Sequence, residues 1–215
     1  MTEIAIAAPT ATVSASLHGG GATCLVLGHG AGGNRRAPFL VRFAEAIAAS
    51  GRSAILYNFP YTEQRRKVPD APKVLEDTVM AVARAARERA GRVVLGGKSM
   101  GGRIASQAVA QGLACEGLVF LGYSLHPPGQ PERLRDKHLP QIAAPLLFLQ
   151  GTRDAFARWD LIQSVVAGLG ERASLVRIDQ ADHSFAVPKQ AGLTATGVEA
   201  RLVEETVRRL GARGL

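Results

Sequence analysis

Three residues of the types that together transfer an acyl group, Ser99, Asp154 and His183, each follow a short apolar run of the chain. A serine hydroxyl becomes a nucleophile when a histidine takes its proton, and a carboxylate beside the histidine keeps the imidazole in the useful tautomer. The combination predicts cleavage of an ester, thioester or similarly activated acyl bond through a covalent acyl-enzyme on Ser99, provided that the fold brings the three residues together.

Ser99 is flanked by glycines in the segment "GGKSMGG" at 96–102. A serine at a sharp strand-to-helix turn takes a strained backbone conformation, and small residues two positions before and after it let the turn close. Gly97 and Gly101 meet that demand, and Gly102 allows the following helix to lie close to the sheet. A role for Ser99 as a simple helix cap is the alternative.

Short β-type runs alternate with longer helical patterns along most of the chain. Strands are predicted near 24–28, 53–58, 92–96, 117–122, 145–150 and 173–178. Helices are predicted near 37–50, 72–90, 100–112, 156–169 and 197–210. This alternation is typical of parallel βαβ units and predicts an α/β fold with a mostly parallel sheet. The first twenty residues are expected to add a hairpin, and residues 1–215 to form a single domain.

The loops that follow parallel strands face one crevice, so they can bring distant residues together. Ser99, Asp154 and His183 all lie on such loops, and we therefore expect the three side chains to meet there.

Other carboxylates compete with Asp154 for the role of the acid. Asp160 is expected inside a helix, and Asp182 adjoins His183, which makes the geometry of a triad awkward. Asp179 is a further rival.

A site for acyl transfer also needs N–H donors, because the tetrahedral intermediate carries negative charge on its oxygen. Met100 can supply one backbone N–H from the start of its helix. The second is expected from the loop "GHGAGGN" at 28–34, in which Ala31 is the chosen donor. His29 is expected to brace this loop, whereas His126 either reaches the cleft or lies at the surface.

Four motifs, "GHGAGG", "GGKSMGGR", "GTRDAF" and "DHSF", occur in this order and together span essentially the whole chain. In these motifs the sequence resembles the small α/β-hydrolases related to dienelactone hydrolase. The closest resemblance is to a group that contains testis-expressed hydrolase-like proteins and a subunit of a chromatin acetyltransferase complex.

The resemblance implies an α/β-hydrolase fold without a large lid domain, with Ser99 as nucleophile, His183 as base and Asp154 as its partner. Dienelactone hydrolase itself uses a cysteine nucleophile, so the serine speaks against that particular activity. The chromatin-complex relative keeps a second function open, in which the fold is a catalytically idle interaction module with a protein partner.

Composition limits the remaining classes of function. The formal net charge is +8, but no basic repeat with interleaved aromatic residues occurs, so a nucleic-acid partner is not expected. No segment resembles a secretory signal or approaches the length of a membrane span, so we expect a cytoplasmic protein without a membrane partner. Cys24 and Cys115 form no metal-binding pattern and are expected to be buried thiols, and no metal or organic cofactor is expected.

The expected substrate is a small acyl compound. Tyr123, Trp159 and Phe185 are the expected wall residues, and Arg35 and Arg36 are expected to contact the substrate. Further basic residues follow the carboxyl ends of strands: Arg65, Arg66, Lys67, Lys98, Arg133, Arg135, Lys137, Arg153 and Arg158. They either ring the crevice and favour a substrate with a carboxylate or phosphate, or lie there only because loops carry charges. Lys98 and Arg103, which flank the glycine-rich turn, are interpreted as solvated or structural charges.

Overall fold

Eight strands form one sheet in a computed structural model that describes all 215 residues. The strands are β1 (Thr2–Ala7), β2 (Thr12–Gly19), β3 (Thr23–Gly28), β4 (Ser53–Tyr57), β5 (Arg92–Lys98), β6 (Gly117–Leu121), β7 (Leu146–Gly151) and β8 (Ala173–Ile178). Their order in the sheet is β1-β2-β4-β3-β5-β6-β7-β8. Two pairs of strands are antiparallel: β1 with β2, which form a hairpin, and β2 with β4. The remaining strands are parallel, as the alternating pattern predicts.

Six α-helices connect or follow the strands. They are α1 (Pro38–Ala49), α2 (Pro60–Glu63), α3 (Pro72–Ala90), α4 (Met100–Ala110), α5 (Trp159–Gly168) and α6 (Ala195–Gly211), and short 3-10 turns occur at Leu139–Gln141, Gly170–Arg172 and Lys189–Ala191. Every predicted strand and long helix is present, with ends shifted by at most a few residues. The one-turn helix α2 was not predicted, since four residues are too few to show a helical period. No helix combines the length and the apolar character that crossing a bilayer requires.

Both faces of the sheet are buried, as expected for strands covered by helices on either side. Along β3, Cys24 and Val26 belong to a core of 32 buried residues on the face that α3, α4 and α5 cover. Leu25 and Leu27 belong to a core of 20 buried residues beneath α1 and α6. The strands are therefore buried, and a functional site can form in the loops that follow their carboxyl ends.

The strand order changes direction between the neighbours β3 and β5. The chain runs outward from β3 to β4, crosses back to β5 on the other side of β3, and then continues outward to β8. The loops after β3 and β5 therefore diverge above the carboxyl ends of the strands and leave a crevice between them. The glycine-rich loop at 28–34 and Ser99 both border this crevice.

Candidate active site

Ser99 occupies the turn between β5 and α4 in a backbone conformation that non-glycine residues rarely adopt, with φ 52° and ψ −113°. Close packing against the end of β3 accounts for its glycine neighbours. A Cβ atom on either Gly97 or Gly101 would lie 2.2 Å from the carbonyl oxygen of Gly28. Gly97 additionally has φ 142°, a value that side-chain-bearing residues rarely reach. The glycines thus let the turn close and hold the strained serine, as the sequence predicted.

The His183 imidazole connects Ser99 to Asp154. Its Nε2 atom lies 2.8 Å from Oγ of Ser99, and its Nδ1 atom lies 2.7 Å from Oδ2 of Asp154. Since a carboxylate can only accept, Nδ1 carries the proton, and in the neutral ring Nε2 then accepts from the serine hydroxyl. The histidine side chain is 20% exposed and the aspartate side chain 1%, so the carboxylate is buried while the imidazole is partly accessible to solvent.

Asp154 is held by two further hydrogen bonds. Nε2 of Gln150 donates to Oδ2 at 2.5 Å, and the backbone N–H of Phe156 donates to Oδ1 at 2.7 Å. Gln150 also accepts from the backbone N–H of Tyr123 at 2.8 Å, which ties the acid to the end of the neighbouring strand. The carboxylate therefore has a single orientation before any substrate arrives.

The rival carboxylates are engaged elsewhere. Asp160 pairs with Arg158 at 2.7 Å, and Asp179 pairs with Arg177 at 2.8 Å. Asp182 accepts the backbone N–H groups of its own loop, at Ser184 and Ala186. Of the four aspartates considered, the structure brings only Asp154 to the histidine ring.

The glycine-rich loop lies directly against the serine. A Cβ atom on Gly30 would lie 3.6 Å from Cβ of Ser99, and Ala31 follows Gly30 on the exposed side of the loop. His29 is buried beneath it: Nδ1 donates to the Gly30 carbonyl at 2.8 Å, and Nε2 faces the hydroxyl of Thr62 at 3.2 Å. Burial also lowers the pKa of His29. The histidine thus braces the loop, as predicted.

Residues 21–210 match the family described as Alpha/beta hydrolase domain. This chain belongs to that family. Two solved structures with the same fold are an alpha-beta serine hydrolase homologue from Coxiella burnetii and an a/b serine hydrolase without lid from Xanthomonas campestris. The first is 18% identical and has a TM-score of 0.76 over 97% of each chain. The second is 18% identical and has a TM-score of 0.77 over 97% of this chain and 94% of its own.

A dienelactone hydrolase from Anabaena variabilis is 19% identical, with a TM-score of 0.72 over 96% of this chain and 94% of its own. At these identities the likeness concerns the fold alone, which is the lidless α/β-hydrolase fold that the motifs predicted. The similarity to the testis-expressed and chromatin-complex group remains a prediction.

A second serine–histidine contact in this α/β-hydrolase has a different character. Oγ of Ser106 lies 2.8 Å from Nε2 of His138, but the hydroxyl donates its proton to the carbonyl of Arg103 at 2.7 Å. Ser106 is fully buried, and burial together with the nearby Arg103 lowers the pKa of His138 to about 4. This pair contacts no carboxylate and supports the packing of α4 against the 126–141 segment.

Two of the three predicted wall residues are buried, so that part of the prediction was wrong. Tyr123 is fully buried between Phe120 and Phe148, and its hydroxyl donates to the carbonyl of Arg135. Phe185 is 4% exposed and stacks on Phe39. Alternating apolar runs did not distinguish a ring that faces a cleft from one that faces the core.

The other aromatic residues near the acid loop differ in their position. Trp159 is half-buried against the core of α5 and lies under the guanidinium of Arg177, at 5.7 Å. Phe156, which was not predicted, stacks on the His183 ring with centroids 4.2 Å apart. Phe156 is thus the aromatic residue in contact with the catalytic histidine candidate, and its position two residues after Asp154 was the available signal.

Several of the basic residues that were expected around the crevice are paired with carboxylates. Arg35 is buried and pairs with Glu3 at 2.6 Å, so the prediction that Arg35 contacts the substrate was wrong. Arg36 is exposed and lies 3.5 Å from the same carboxylate. Arg66 and Arg158 also have carboxylate partners. Exposed basic residues without such a partner are Arg65, Lys67, Arg133, Lys137 and Arg153.

His126 is buried rather than at the surface. Its Nδ1 donates to the Pro127 carbonyl at 2.8 Å, and its Nε2 accepts the backbone N–H of Arg158 at 2.9 Å. Both ring nitrogens are thereby used to join the 126–141 segment to the acid loop. Cys24 is buried and Cys115 half-buried, both are free thiols, and burial raises the pKa of each to about 11.

Proposed function

We propose that this α/β-hydrolase, as one domain of residues 1–215, is a serine hydrolase that cleaves an ester, thioester or similarly activated acyl bond. Ser99 attacks the acyl carbon while His183 takes its proton, and Asp154 stabilises the imidazolium that forms. The backbone N–H groups of Met100 and Ala31 stabilise the oxyanion, and water then releases the acyl group. The reaction requires no metal or organic cofactor.

The observation that carries this proposal is the unbroken hydrogen-bond chain from Asp154 through His183 to Ser99. The strained serine backbone supports the same reading, because strain at a single residue persists where the surroundings enforce it and occurs preferentially at functional sites. The alternative role of Ser99 as a helix cap finds no support, since its hydroxyl makes no capping hydrogen bond to α4.

The alternative function is an interaction module with an idle triad. A retired site is under no constraint to keep Ser99, His183 and Asp154 within hydrogen-bond distance, so their arrangement favours the enzyme. Membership of the testis-expressed or chromatin-complex group and a cytoplasmic location remain predictions that bear on the physiological role.

We further propose a substrate that carries a carboxylate or phosphate. A polar groove that no apolar side chain lines includes Asn34, which lies four positions after Gly30, together with Asn58 and Arg65. One carboxylate, Glu63, also lines the groove, and its Oε1 atom accepts the backbone N–H of Ser14 at 2.7 Å. The amide groups of Asn34 and Asn58 already accept backbone N–H groups through their oxygens, which leaves their NH₂ groups as donors. Together with the guanidinium of Arg65 they provide the donor set that an oxyanion requires.

The proposed activity is tested with a fluorophosphonate probe, followed by mass spectrometry of the labelled peptide. Labelling on the peptide that contains Ser99, blocked by prior heating of the protein, is the expected result. A native protein that neither reacts with the probe nor hydrolyses short p-nitrophenyl esters would favour the interaction module. Labelling at Ser106 instead would move the nucleophile to the second serine–histidine pair.

A further inference from the structure

Lys98 lies directly before the candidate nucleophile and reaches the loop of the candidate base. It is the last residue of β5, and its Nζ atom donates to the backbone carbonyl of His183 at 2.5 Å across 85 positions of sequence. Of the two interpretations of Lys98, a solvated or a structural charge, this contact supports the structural one. The side chain therefore joins the nucleophile turn to the histidine loop.

Atoms of His183 and Asp154 lie near Nζ of Lys98. A Cβ atom on Gly122, just beyond β6, would lie 3.0 Å from Nζ of Lys98, 3.5 Å from the His183 carbonyl and 3.6 Å from Oδ2 of Asp154. These three atoms thus surround one small space that only glycine leaves open. The Phe185 ring covers another side, with Nζ 5.4 Å from its centroid. No carboxylate forms a salt bridge with Lys98, so this is not an ordinary ion pair.

Each of these contacts has a chemical consequence. The hydrogen bond fixes the backbone of His183, and with it the height of the imidazole above Ser99. Burial lowers the pKa of Lys98 to about 8, although the charges of Asp154 and Asp182 act in the opposite direction. The ammonium form is thus still the main one at pH 7.

We propose that Lys98 is a positioning residue that anchors the histidine loop through its hydrogen bond to the His183 carbonyl and thereby sets the position of the imidazole beside Ser99. This inference rests on the proposed hydrolase function. The charged groups that act on Lys98 are Asp154 on the loop after β7 and Asp182 on the loop after β8.

The test uses three substitutions that separate charge from hydrogen bonding. Lys98→Met removes both, Lys98→Gln keeps a donor without charge, and Lys98→Arg keeps both. Arg84→Met on the exposed face of α3 is the matched control, because it removes one positive charge far from the triad. The values of kcat and KM with p-nitrophenyl acetate and, at one fixed pH, the NMR resonance of the His183 Nδ1 proton are measured for each variant, with folding checked by circular dichroism.

For Lys98→Met we expect kcat to fall about tenfold or more, since a hydrogen bond from a charged donor is lost. KM should change little, and the NMR resonance of the His183 Nδ1 proton should shift or broaden, because the loop that carries the ring has lost its anchor. Lys98→Gln, which keeps a donor, should lose less of kcat, whereas Lys98→Arg and Arg84→Met should keep kcat and the resonance close to those of the wild type.

A folded Lys98→Met protein with an unchanged kcat and an unchanged His183 resonance would overturn the inference, and so would equal changes in Arg84→Met. The NMR measurement needs no turnover. An inert wild type would therefore refute the hydrolase proposal, while the resonance of the His183 Nδ1 proton would still decide whether Lys98 positions the imidazole.

Discussion

Nε2 of His183 lies 2.8 Å from Oγ of Ser99, although the two residues are 84 positions apart and follow strands that are separated by two others. The loop after β8 must therefore extend over the carboxyl ends of β7 and β6 to reach Ser99. Gly151 permits this, because a Cβ atom there would lie 2.3 Å from the carbonyl of Ala181. Asp182 then closes the loop into a tight turn through two backbone hydrogen bonds. The close packing of this loop over the end of β7 thus places the imidazole of His183 beside the Ser99 hydroxyl.

The first prediction concerns the nucleophile. Ser99→Ala should abolish hydrolysis of short-chain p-nitrophenyl esters, with a loss on the order of 10⁶ in kcat if the chemical step limits the rate. The thermal unfolding transition should change little, because the hydroxyl is at the edge of the core. Ser106→Ala is the matched control and should retain most of the activity. Wild-type turnover in Ser99→Ala would refute the triad.

The second prediction concerns the acid. Asp154→Asn keeps the shape of the side chain but offers His183 a group that can stabilise the wrong tautomer, so kcat should fall roughly 10⁴-fold. Asp160→Asn, at an exposed ion pair, and Asp182→Asn, whose remaining oxygen can still accept the loop N–H groups, should lose less than about tenfold. Steady-state kinetics on the three purified variants decide the order, and a reversed order would transfer the orienting role to another carboxylate.

The sequence was sufficient to predict the fold and the convergence of Ser99, Asp154 and His183. Both follow from one rule: apolar runs separated by helical patterns are parallel strands, and the loops after parallel strands share an edge. Gly97 and Gly101 were equally informative, because a side chain on either residue would collide with the carbonyl of Gly28 at the end of β3. These features depend on local patterns and topology, which a single sequence contains.

The sequence could not predict which side chains line the site. Tyr123 and Phe185 follow strand ends as Phe156 does, yet the first two turn into the core and only Phe156 meets the imidazole. The contacts of Arg35 and Lys98 could not be predicted either, because they depend on partners that are distant in the sequence. The partner is Glu3 for Arg35 and the His183 carbonyl for Lys98. Such contacts arise from loop conformations that no local pattern specifies.

The third prediction concerns the glycine turn. Gly97→Ala places a Cβ atom 2.2 Å from the carbonyl oxygen of Gly28, at φ 142°, and should destabilise the protein. A loss of roughly 3 kcal/mol is expected from overpacking and backbone strain, which corresponds to about 6–12 °C in Tm for a chain of this length. Gly20→Ala is the control, because no atom lies within 4 Å of its Cβ position. Equal melting temperatures for the two variants would show that the turn is looser than the packing indicates.

The fourth prediction concerns the charge of the substrate. If Arg65 and the amide donors of the polar groove bind an anion, the protein should prefer mono-p-nitrophenyl succinate over its methyl-capped, neutral analogue. The preference should weaken with added salt, because the Debye length falls from about 8 Å at physiological ionic strength to about 3 Å at 1 M. Arg65→Gln should reduce the preference about threefold or more, whereas Arg84→Gln, an exposed charge on α3, should leave it unchanged. The measured quantity is the ratio of kcat/KM for the two esters at low and high salt. A ratio near one at both salt concentrations would mean that the groove does not bind the anion of the substrate. A salt-dependent ratio that Arg65→Gln and Arg84→Gln lower equally would assign the effect to the net charge of the protein rather than to the groove.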